Sequence, residues 1–548
     1  MGVYLTSNAQ YNAFDLRSPS IPERTSRPLH LRRDRLSIAS IARIGVTSTA
    51  SLPAEREASE LPELNRSHSL RRQMEQRQLI KLYVSRVSMC ASATTLEILT
   101  LRTKCIHFSL FLTAVMCIAQ QPSVPPLETV VQPTRETYLK LASEVDDALH
   151  TDVLNVWFPR SVDHQYGGFH SHFTRDWKWA PSDGKFSVFQ GRMTWIASQV
   201  VLRDPKRKNE FLPIVRQGVD FLQNVMWDKK YGGFFWGLDD TGNIDPKFTD
   251  GKGLYGIGFC IYGAAAAYQA TGDPNALALA QKGFSWADEH GHDSVNGGYY
   301  EWLTREGKPF VPIVPDGQIV PGPVGPMNYK SMNTHIHLLE AFTQLYQVWP
   351  DPTLRDRLEE MLAIVRDKIS VEPGVMNLFF TNAWQAIPDH DSYGHDVETA
   401  YLMLETDEVL HHKASLKTER MARMLVDHAL AYGWDETNGG FFREGTTFGK
   451  PEDTIKEWWV EVEGLNALLM MHRRYGKETG IYFQRFLEQW QFIQKHTIDG
   501  QYHGLYNLTK ADGTPLTQDK GVIWKAGYHD GRAFMNVSER LHKLAGDH

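Results

Sequence analysis

Cysteine is scarce in this 548-residue sequence. Three of its four cysteines, Cys90, Cys105 and Cys117, lie before residue 120, so Cys260 is the single thiol in the remainder. One thiol can form neither a disulfide framework nor a cysteine-based zinc site. The sequence also lacks a phosphate loop, a dinucleotide fingerprint, a His-Glu-x-x-His pair and a calcium loop. These absences favour acid/base chemistry that uses neither a metal nor a cofactor.

Positive charge is scarce outside the N-terminal part. Residues 1–105 carry 16 Lys and Arg against 9 Asp and Glu, whereas the whole chain has 58 and 65. The rest of the chain is therefore about 14 charges negative at neutral pH. Because a nucleic-acid ligand requires a basic surface, this balance argues against such a partner. Apolar residues make up 42% of the chain, which is typical of globular proteins.

Long apolar runs are missing as well. The run that comes nearest to a membrane span covers residues 106–119, and its roughly 14 residues fall short of the ~20 that a spanning helix needs. Arg102 and Lys104 precede it and small residues end it, which is typical of a secretory signal peptide. Met89 is suitably placed to begin such a peptide. We therefore expect no stable membrane span.

The sequence predicts two parts. An N-terminal extension, residues 1–133, contains the signal peptide around residues 89–119, and a folded domain covers residues 134–548. Residues 1–88 are rich in Arg and Ser and lack Trp, so they are either a misassigned translation start or a disordered extension. A buried apolar helix within the extension is the alternative for the apolar run. With a functional signal peptide the protein is periplasmic or secreted, and without one it is cytoplasmic.

A short glycine phrase recurs through the predicted domain. Its copies are Tyr166-Gly-Gly-Phe169, Tyr231-Gly-Gly-Phe-Phe235, Asn296-Gly-Gly-Tyr-Tyr300, Asn438-Gly-Gly-Phe-Phe442 and the weaker Tyr502-His-Gly-Leu-Tyr506. Successive copies begin 65, 65, 142 and 64 residues apart, so one interval is about double. Pro373-Gly-Val-Met-Asn-Leu-Phe-Phe380 falls within the long interval, where a degenerate copy is expected. Six repeats of about 65 residues then fill residues 134–548.

Each repeat has room for two helices. Helix-length amphipathic stretches lie between the glycine phrases, for example residues 211–226, 276–290 and 417–431. A repeat is therefore predicted to be a helix pair with a short glycine-turned strand or hairpin between the helices. Six such pairs favour an all-α, closed toroid over an open solenoid, since an open array needs polar capping repeats that the sequence does not show.

Two clusters carry polar residues at helical spacing. Asn333 and His337 are four residues apart and share a helix face, whereas His335 points elsewhere, so the cluster fits a pocket better than a two-histidine metal site. His395 and Glu398 are three apart, so the carboxylate could orient the imidazole. For each cluster an ordinary structural role is the alternative.

Further candidates fall one to a repeat. They are Arg192, Tyr255, Asn333, His395, Trp458 and His529, with Trp524 just before the last of them. Side-by-side tryptophans can simply fill a core, but aromatic faces near histidines and acids are also what a sugar site uses. The regular placement predicts that every repeat contributes to one central cup.

The sequence at this point resembles the N-acylglucosamine 2-epimerase superfamily, and within it most closely the cellobiose 2-epimerases. The motifs that carry the resemblance are Asn333-Thr-His-Ile-His337-Leu-Leu-Glu-Ala, Tyr393-Gly-His-Asp-Val-Glu398, Trp458-Trp459-Val-Glu-Val-Glu463 and Trp524-Lys-x-x-Tyr-His529-x-x-Arg532. The resemblance covers about residues 134–548. It implies an (α/α)6 barrel and a reversible epimerisation at C2 of the reducing-end glucose of β-1,4-disaccharides, without a metal or a nucleotide.

The resemblance also implies roles for the candidate residues. His395 and His529 would be the two acid/base residues on opposite faces of the ring-opened sugar, and Glu398 would support His395. Arg192, Asn333 and His337 would bind the developing enediolate. Trp458 and Trp524 would stack on sugar rings, with Tyr255 as a further pocket contact. No metal ligand and no cofactor are implied, and the partner is a small carbohydrate.

Two positions depart from the family pattern and leave the substrate open. Tyr401 stands where cellobiose epimerases commonly have Trp, and Glu461 stands where Gln is usual. The alternatives are an N-acylglucosamine 2-epimerase or a mannose or glucose isomerase of the same superfamily. A glycoside hydrolase fits less well because hydrolysis needs two carboxylates while this pattern centres on histidine. A non-catalytic sugar-binding protein would leave two histidines without a task.

Overall fold

The computed structural model describes residues 131–548, apart from residues 181–183, 246–247, 249–250, 313–317, 448, 517–518 and 548. The predicted signal peptide and almost all of the predicted extension lie outside the described residues. None of the described helices is long and apolar enough to cross a membrane.

Twelve helices of at least 12 residues make up most of the described chain, and they alternate between an outer and an inner layer. The outer helices are α1 (Arg135–Ala148), α3 (Lys208–Phe221), α5 (Pro274–Gly291), α7 (Pro352–Ile364), α9 (Leu416–Tyr432) and α11 (Ile481–Phe492). The inner helices are α2 (Ser187–Arg203), α4 (Leu254–Thr271), α6 (Met332–Val348), α8 (Tyr393–His411), α10 (Trp458–Tyr475) and α12 (Tyr528–Gly546). One outer and one inner helix form each repeat.

The two layers differ in burial as their sequences predict. Outer helices bury one apolar stripe, whereas inner helices are buried on nearly every side; in α4 all residues from Leu254 to Ala267 are buried. Successive inner helices pack against each other, and α12 contacts α2, so the ring closes. The structure is the (α/α)6 barrel that the sequence predicted.

Local signals start and end the outer helices. Asp273 and Asp351 cap α5 and α7 by accepting backbone N–H donors, and a proline follows each as the first helical residue. Four outer helices run on into a single π-type turn. These turns are Leu149–Leu154 after α1, Leu222–Met226 after α3, Val365–Ile369 after α7 and Ile493–Thr497 after α11.

The glycine phrases form hairpin turns after the outer helices. Gly232 and Gly233 have φ angles of 73° and 69°, a left-handed pair that other residues adopt at a cost. His503 takes the first of these places in the weak copy, with a φ angle of 62°. In the degenerate copy, Ser370–Val371 pairs with Val375–Met376, so a hairpin is present there too.

Two-residue strands connect neighbouring repeats. Five inner helices are preceded by such a strand, which pairs antiparallel with the strand after the next hairpin. The pairs are Lys185–Phe186 with Gly237–Leu238, Lys252–Gly253 with Trp302–Leu303, Lys330–Ser331 with Phe379–Phe380, Asp391–Ser392 with Glu444–Gly445, and Lys456–Glu457 with Leu508–Thr509. Ala386–Ile387 extends the third pair and Pro451–Asp453 the fourth. Hairpins and strands together form the rim at which the inner helices begin.

A buried ion pair fastens five of the hairpins to this rim. The lysines and their aspartates are Lys185 with Asp163, Lys252 with Asp228, Lys330 with Asp293, Lys456 with Asp435, and Lys520 with Asp499. Each lysine also donates to a backbone carbonyl of a hairpin glycine. Because removing one partner would leave an uncompensated buried charge, these pairs hold each hairpin in one position.

Candidate active site

The predicted site residues meet at the rim where the inner helices begin. Tyr255, Asn333 and His529 are each the second residue of their helices, and His395 is the third. They converge because all six inner helices start at the same side of the barrel. The one-per-repeat placement predicted a single cup, and the fold brings these residues to one rim, although only some of them line the cavity there.

An open cavity lies at this rim. Tyr255, Asn333, His395 and Trp524 line it, as the sequence predicted. The other predicted residues lie behind this lining. They are Arg192, His337, Glu398, Trp458 and His529, all of them buried.

His395 is half-buried beside an aromatic wall. Its Nδ1 atom is 2.7 Å from the Ser392 hydroxyl, and its ring lies 4.7 Å from that of Trp459. Burial, followed by the positive charges of His337 and His390, lowers the pKa of His395 to about 3. The imidazole is therefore neutral at neutral pH and can accept a proton at Nε2.

His529 has a carboxylate partner. Its Nδ1 atom lies 2.7 Å from Glu463 Oε1 and 3.8 Å from Glu398 Oε1. Its ring is 5.6 Å from that of Trp459, so the centroids of the two histidine rings are at most about 10 Å apart. Burial and then Arg192 lower the pKa of His529 well below its usual value.

The contacts of Glu398 differ from the expected support of His395. Glu398 accepts a hydrogen bond from Arg532 and lies near His529, whereas Ser392 holds the Nδ1 atom of His395. The spacing of three residues placed Glu398 on the correct helix face. The spacing could not show that Arg532 of α12 donates to this carboxylate.

Arg532 stands at the centre of a buried carboxylate cluster. Its guanidinium donates to Glu340 and Glu398 and, at 2.6 Å, to Glu463. The hydroxyl of Tyr528 accepts a further bond at 2.5 Å. Burial raises the pKa of Glu463, which Arg532 partly offsets. Although burial favours its neutral form, Arg532 and His337 together hold the pKa of Glu340 well below the usual value.

The two histidines of α6 have separate tasks. His337 bonds to Glu340 at 3.0 Å and packs edge-on against Tyr255. His335 instead bonds to the Ser331 carbonyl at 2.6 Å and accepts from the Tyr299 backbone N–H at 3.0 Å. The prediction that they point in different directions is correct, and His335 is structural.

Arg192 lies directly behind the cavity lining. It donates to the Tyr255 hydroxyl at 3.0 Å and to the Trp524 carbonyl at 3.2 Å. Its guanidinium also lies over the Phe259 and Tyr528 rings, at 4.3 and 4.9 Å from their centroids. These contacts fix a positive charge directly behind two residues that line the cavity.

Trp459, rather than Trp458, faces the cavity. Trp459 lines the wall and contacts both histidine rings, while the Trp458 indole donates to buried Asp530 at 3.1 Å. The family resemblance implied that Trp458 is the residue that stacks on a sugar ring. The two residues begin α10, where adjacent side chains point about 100° apart, so the choice depended on a helix phase that the sequence did not reveal.

The two departures from the family pattern lie away from the cavity. Tyr401 is fully buried and donates to Glu463 Oε2 at 2.7 Å. Glu461 is buried against Gln489, and burial raises its pKa to about 8. Neither residue lines the cavity, so they bear on the support of the site and not on its wall.

Four charged residues that sequence reasoning missed also line the cavity. They are His390, Arg443, Glu444 and Glu457. Arg443 directly follows the fourth glycine phrase, and Glu457 directly precedes α10, so their positions beside the rim were a signal available in the sequence. Burial raises the pKa of Glu457 to about 7.

A family model supports the assignment that this geometry suggests. The model described as N-acylglucosamine 2-epimerase matches residues 167–530, which include all the site residues named above except Arg532. The chain belongs to the N-acylglucosamine 2-epimerase family. The sequence resemblance to this superfamily is thereby confirmed.

Relatives and solved structures agree with this membership. A cellobiose 2-epimerase of Bacteroides fragilis is 30% identical over 72% of this chain and 97% of its own length. A D-mannose isomerase of Marinomonas mediterranea is 22% identical over 70% of this chain and 94% of its own length. The cellobiose 2-epimerase structure from Spirochaeta thermophila superimposes with a TM-score of 0.67 at 28% identity, covering 75% of this chain and 98% of that one. The protein is an enzyme of this carbohydrate epimerase and isomerase class.

Proposed function

We propose that the enzyme epimerises C2 of the reducing-end glucose of β-1,4-disaccharides, converting cellobiose to 4-O-β-D-glucosyl-D-mannose without a cofactor. The observation that carries this proposal is that His395 and His529 lie against the same Trp459 ring, each with its Nδ1 atom in a hydrogen bond. Two such imidazoles leave two Nε2 atoms to exchange protons with one substrate.

The reaction starts once the sugar ring has opened. One histidine removes the proton from C2; the electron pair of that bond forms a C1–C2 double bond, and the C1 carbonyl pair moves onto O1. The resulting enediolate is planar at C2. The other histidine, which must carry a proton on Nε2 when the cycle starts, then delivers that proton to the opposite face, the C1 carbonyl re-forms and the ring closes. After one turnover the two histidines have exchanged protonation states, and proton exchange with solvent restores the starting state. Because the reaction is reversible, each histidine acts as a base in one direction and as an acid in the other.

The supporting residues follow from their charges. The Glu463 carboxylate accepts from His529 Nδ1 and therefore stabilises the imidazolium that forms when Nε2 takes up a proton. Arg192, Asn333 and His337 supply positive charge and hydrogen bonds for the developing negative charge on O1. This electrostatic contribution is commonly among the largest in enzymes. Trp524 and Trp459 supply apolar faces for pyranose rings.

The disaccharide is the preferred substrate because the cellobiose 2-epimerase of Bacteroides fragilis is more similar to this chain than the mannose isomerase is, at 30% against 22% identity. An aldose–ketose isomerase shares the same enediolate and differs in protonating C1 instead of C2. Isomerisation of mannose is therefore the second candidate.

Proton NMR with cellobiose in deuterated buffer tests the proposal. We expect the mannose-ended epimer to appear with deuterium at C2. A ketose product would retain the two-histidine chemistry but make the reaction an isomerisation. Turnover of mannose or N-acetylglucosamine but not cellobiose would retain the chemistry with a different substrate. Release of free glucose would refute epimerisation in favour of hydrolysis. His395→Gln and His529→Gln should each abolish turnover while sugar binding persists; if neither did, the histidine assignment would be wrong.

A further inference from the structure

A second buried polar cluster lies at the fourth repeat, where the rim loses its lysine. In four other repeats the strand before the inner helix begins with a lysine that pairs with an aspartate of the preceding hairpin. Asp391 stands at this position in the fourth repeat. An acidic residue thus replaces the cation, and it is 1% exposed.

Asp391 faces two further ligand-type side chains. His428 Nδ1, on the outer helix α9, lies 3.4 Å from Asp391 Oδ2 and 3.9 Å from Asp396 Oδ2. Asp396 belongs to the first turn of α8 and is completely buried. One ligand atom from each of the three side chains lies within 4.8 Å of the others.

The tautomer of His428 is fixed by its other nitrogen. Nε2 lies 3.0 Å from the Thr447 carbonyl oxygen, which can only accept, so Nε2 carries the hydrogen. Nδ1 of the neutral ring then presents a lone pair toward two carboxylates. His428 is 4% exposed, and its Nδ1 atom has no hydrogen-bond partner among the described residues. A histidine whose second nitrogen donates to a backbone carbonyl is the usual form of a metal ligand.

The two carboxyl groups face each other in the interior. All four oxygens of Asp391 and Asp396 are buried, and the two groups lie close enough to share a proton. Within the described part of the chain, no lysine or arginine forms an ion pair with either carboxylate. Three acceptor groups that converge with no donor between them require a positive species at their centre.

We propose that Asp391, Asp396 and His428 bind one divalent first-row transition-metal ion, such as Zn²⁺ or Mn²⁺. One imidazole nitrogen and two carboxylate oxygens are a donor set that such ions accept. The spacings of 3.4 and 3.9 Å between ligand atoms are near the roughly 3.3 Å that separates tetrahedral ligands about 2.0 Å from zinc. The hydroxyl of Tyr393 is also buried without a described partner, and it interacts electrostatically with both Asp391 and Asp396.

The ion would have a structural task. Asp391 is followed by Ser392, which holds His395, and Asp396 follows His395 directly. Metal binding would therefore fasten the strand and the first turn of α8 on both sides of that histidine. The ion would occupy the place of the rim lysine and link the start of α8 to the outer helix α9, and the proposed epimerisation does not use it as a reactant.

Metal analysis of the full-length, untagged protein tests the site. The protein is stripped with a chelator, incubated with Zn²⁺ or Mn²⁺, desalted and analysed by mass spectrometry for bound metal. We expect about one equivalent per chain and a rise in melting temperature of about 3–5 °C over the stripped protein. Loading with Co²⁺ should give visible absorption bands from a cobalt ion that is bound through the His428 imidazole.

Two variants and one matched control locate the ion. Asp396→Asn and His428→Gln should retain less than about a fifth of an equivalent, and His428→Gln should lose the cobalt bands. His529→Gln is the control, because His529 belongs to the other cluster of one histidine and two acids, Glu398 and Glu463, and Arg532 already compensates that charge. It should bind metal as the wild type does.

Three outcomes would overturn the proposal. The first is wild-type protein that binds neither ion and melts at the same temperature with and without it, which would mean that a proton shared by the two carboxyl groups compensates the cluster. The second is binding that survives in His428→Gln and disappears in His529→Gln, which would place the ion in the catalytic pocket. The third is weak binding that all variants share. The wild-type measurement decides even if a variant does not fold.

Discussion

Replacing Glu463 by glutamine removes one charge from the site and little else. The amide keeps the volume of the side chain, its oxygen can still accept from His529 or Arg532, and its nitrogen can donate to Tyr401. What disappears is the carboxylate 2.7 Å from His529 Nδ1. Because His529 carries a positive charge during half of the proposed cycle, its protonated form should become less stable.

The size of the effect follows from the distance. Two unit charges at 2.7 Å attract each other by about 6 kcal/mol at an effective dielectric constant of about 20. Arg532 lies 2.6 Å from the same oxygen and opposes the imidazolium. We therefore take about half, roughly 3 kcal/mol, as the net loss. At about 1.4 kcal/mol for each factor of ten, kcat should fall by about 100-fold or slightly more.

Initial rates of epimer formation from cellobiose measure kcat and KM for both proteins. We expect KM to change by less than about threefold, because Glu463 does not line the cavity. Glu461→Gln is the matched control: it makes the same change two residues away on α10, where the carboxyl does not touch either histidine. If kcat of Glu463→Gln stayed within about threefold of wild type, the assigned role of the carboxylate would be wrong.

Three further results are expected. Burial raises the pKa of Glu461 from 4.5 to about 8, so between these pH values the folded protein holds a proton that the unfolded chain has lost. The free energy of unfolding of the wild type should therefore fall by about 1.4 kcal/mol per pH unit in this range. Chemical denaturation at pH 5 and pH 8 should show this fall for the wild type and not for Glu461→Gln. The lowered pKa values of His395, about 3, and of His529 keep either base neutral in mild acid, so kcat/KM should not decline from pH 7 to pH 5; a decline centred near 6.5 would contradict this. Trp459→Ala should lower kcat/KM by about 100-fold, since both histidines lose the aromatic ring they pack against. Trp458→Phe should instead lower the free energy of unfolding by about 1–3 kcal/mol, because buried Asp530 loses its indole donor.

The architecture could be predicted because its cause is repeated along the chain. A turn with two left-handed residues favours glycine, so the phrase at Gly232 and Gly233 recurs after five of the six outer helices, with His503 in one of the glycine places. The period of about 65 residues then fixes the number of helix pairs. The same regularity also brought the candidate histidines to one rim, since each lies at the start of an inner helix.

The contacts between repeats could not be predicted in the same way. Glu463 and His529 are 66 residues apart and meet because α10 and α12 are neighbours in the ring. Arg532 reaches Glu340 from 192 residues away. No local pattern announces such partners. The buried lysine–aspartate pairs, in contrast, do leave a signal in the sequence. A lysine stands two residues before four of the inner helices, and an aspartate stands three residues before each of the five glycine phrases.

Those ion pairs allow the loops at the rim to change in length while the helices of the barrel stay fixed. Each fastens a hairpin within its own repeat, so the segment between that hairpin and the next inner helix can lengthen without loosening the ring. The segment from Leu303 to Lys330 is an example, since it is longer than its counterpart from Leu238 to Lys252 and still returns to the same kind of anchor. Pro323 and Val324 of this segment line the cavity. New sugar specificities can therefore arise by changing loop length at the rim while the twelve helices stay as they are.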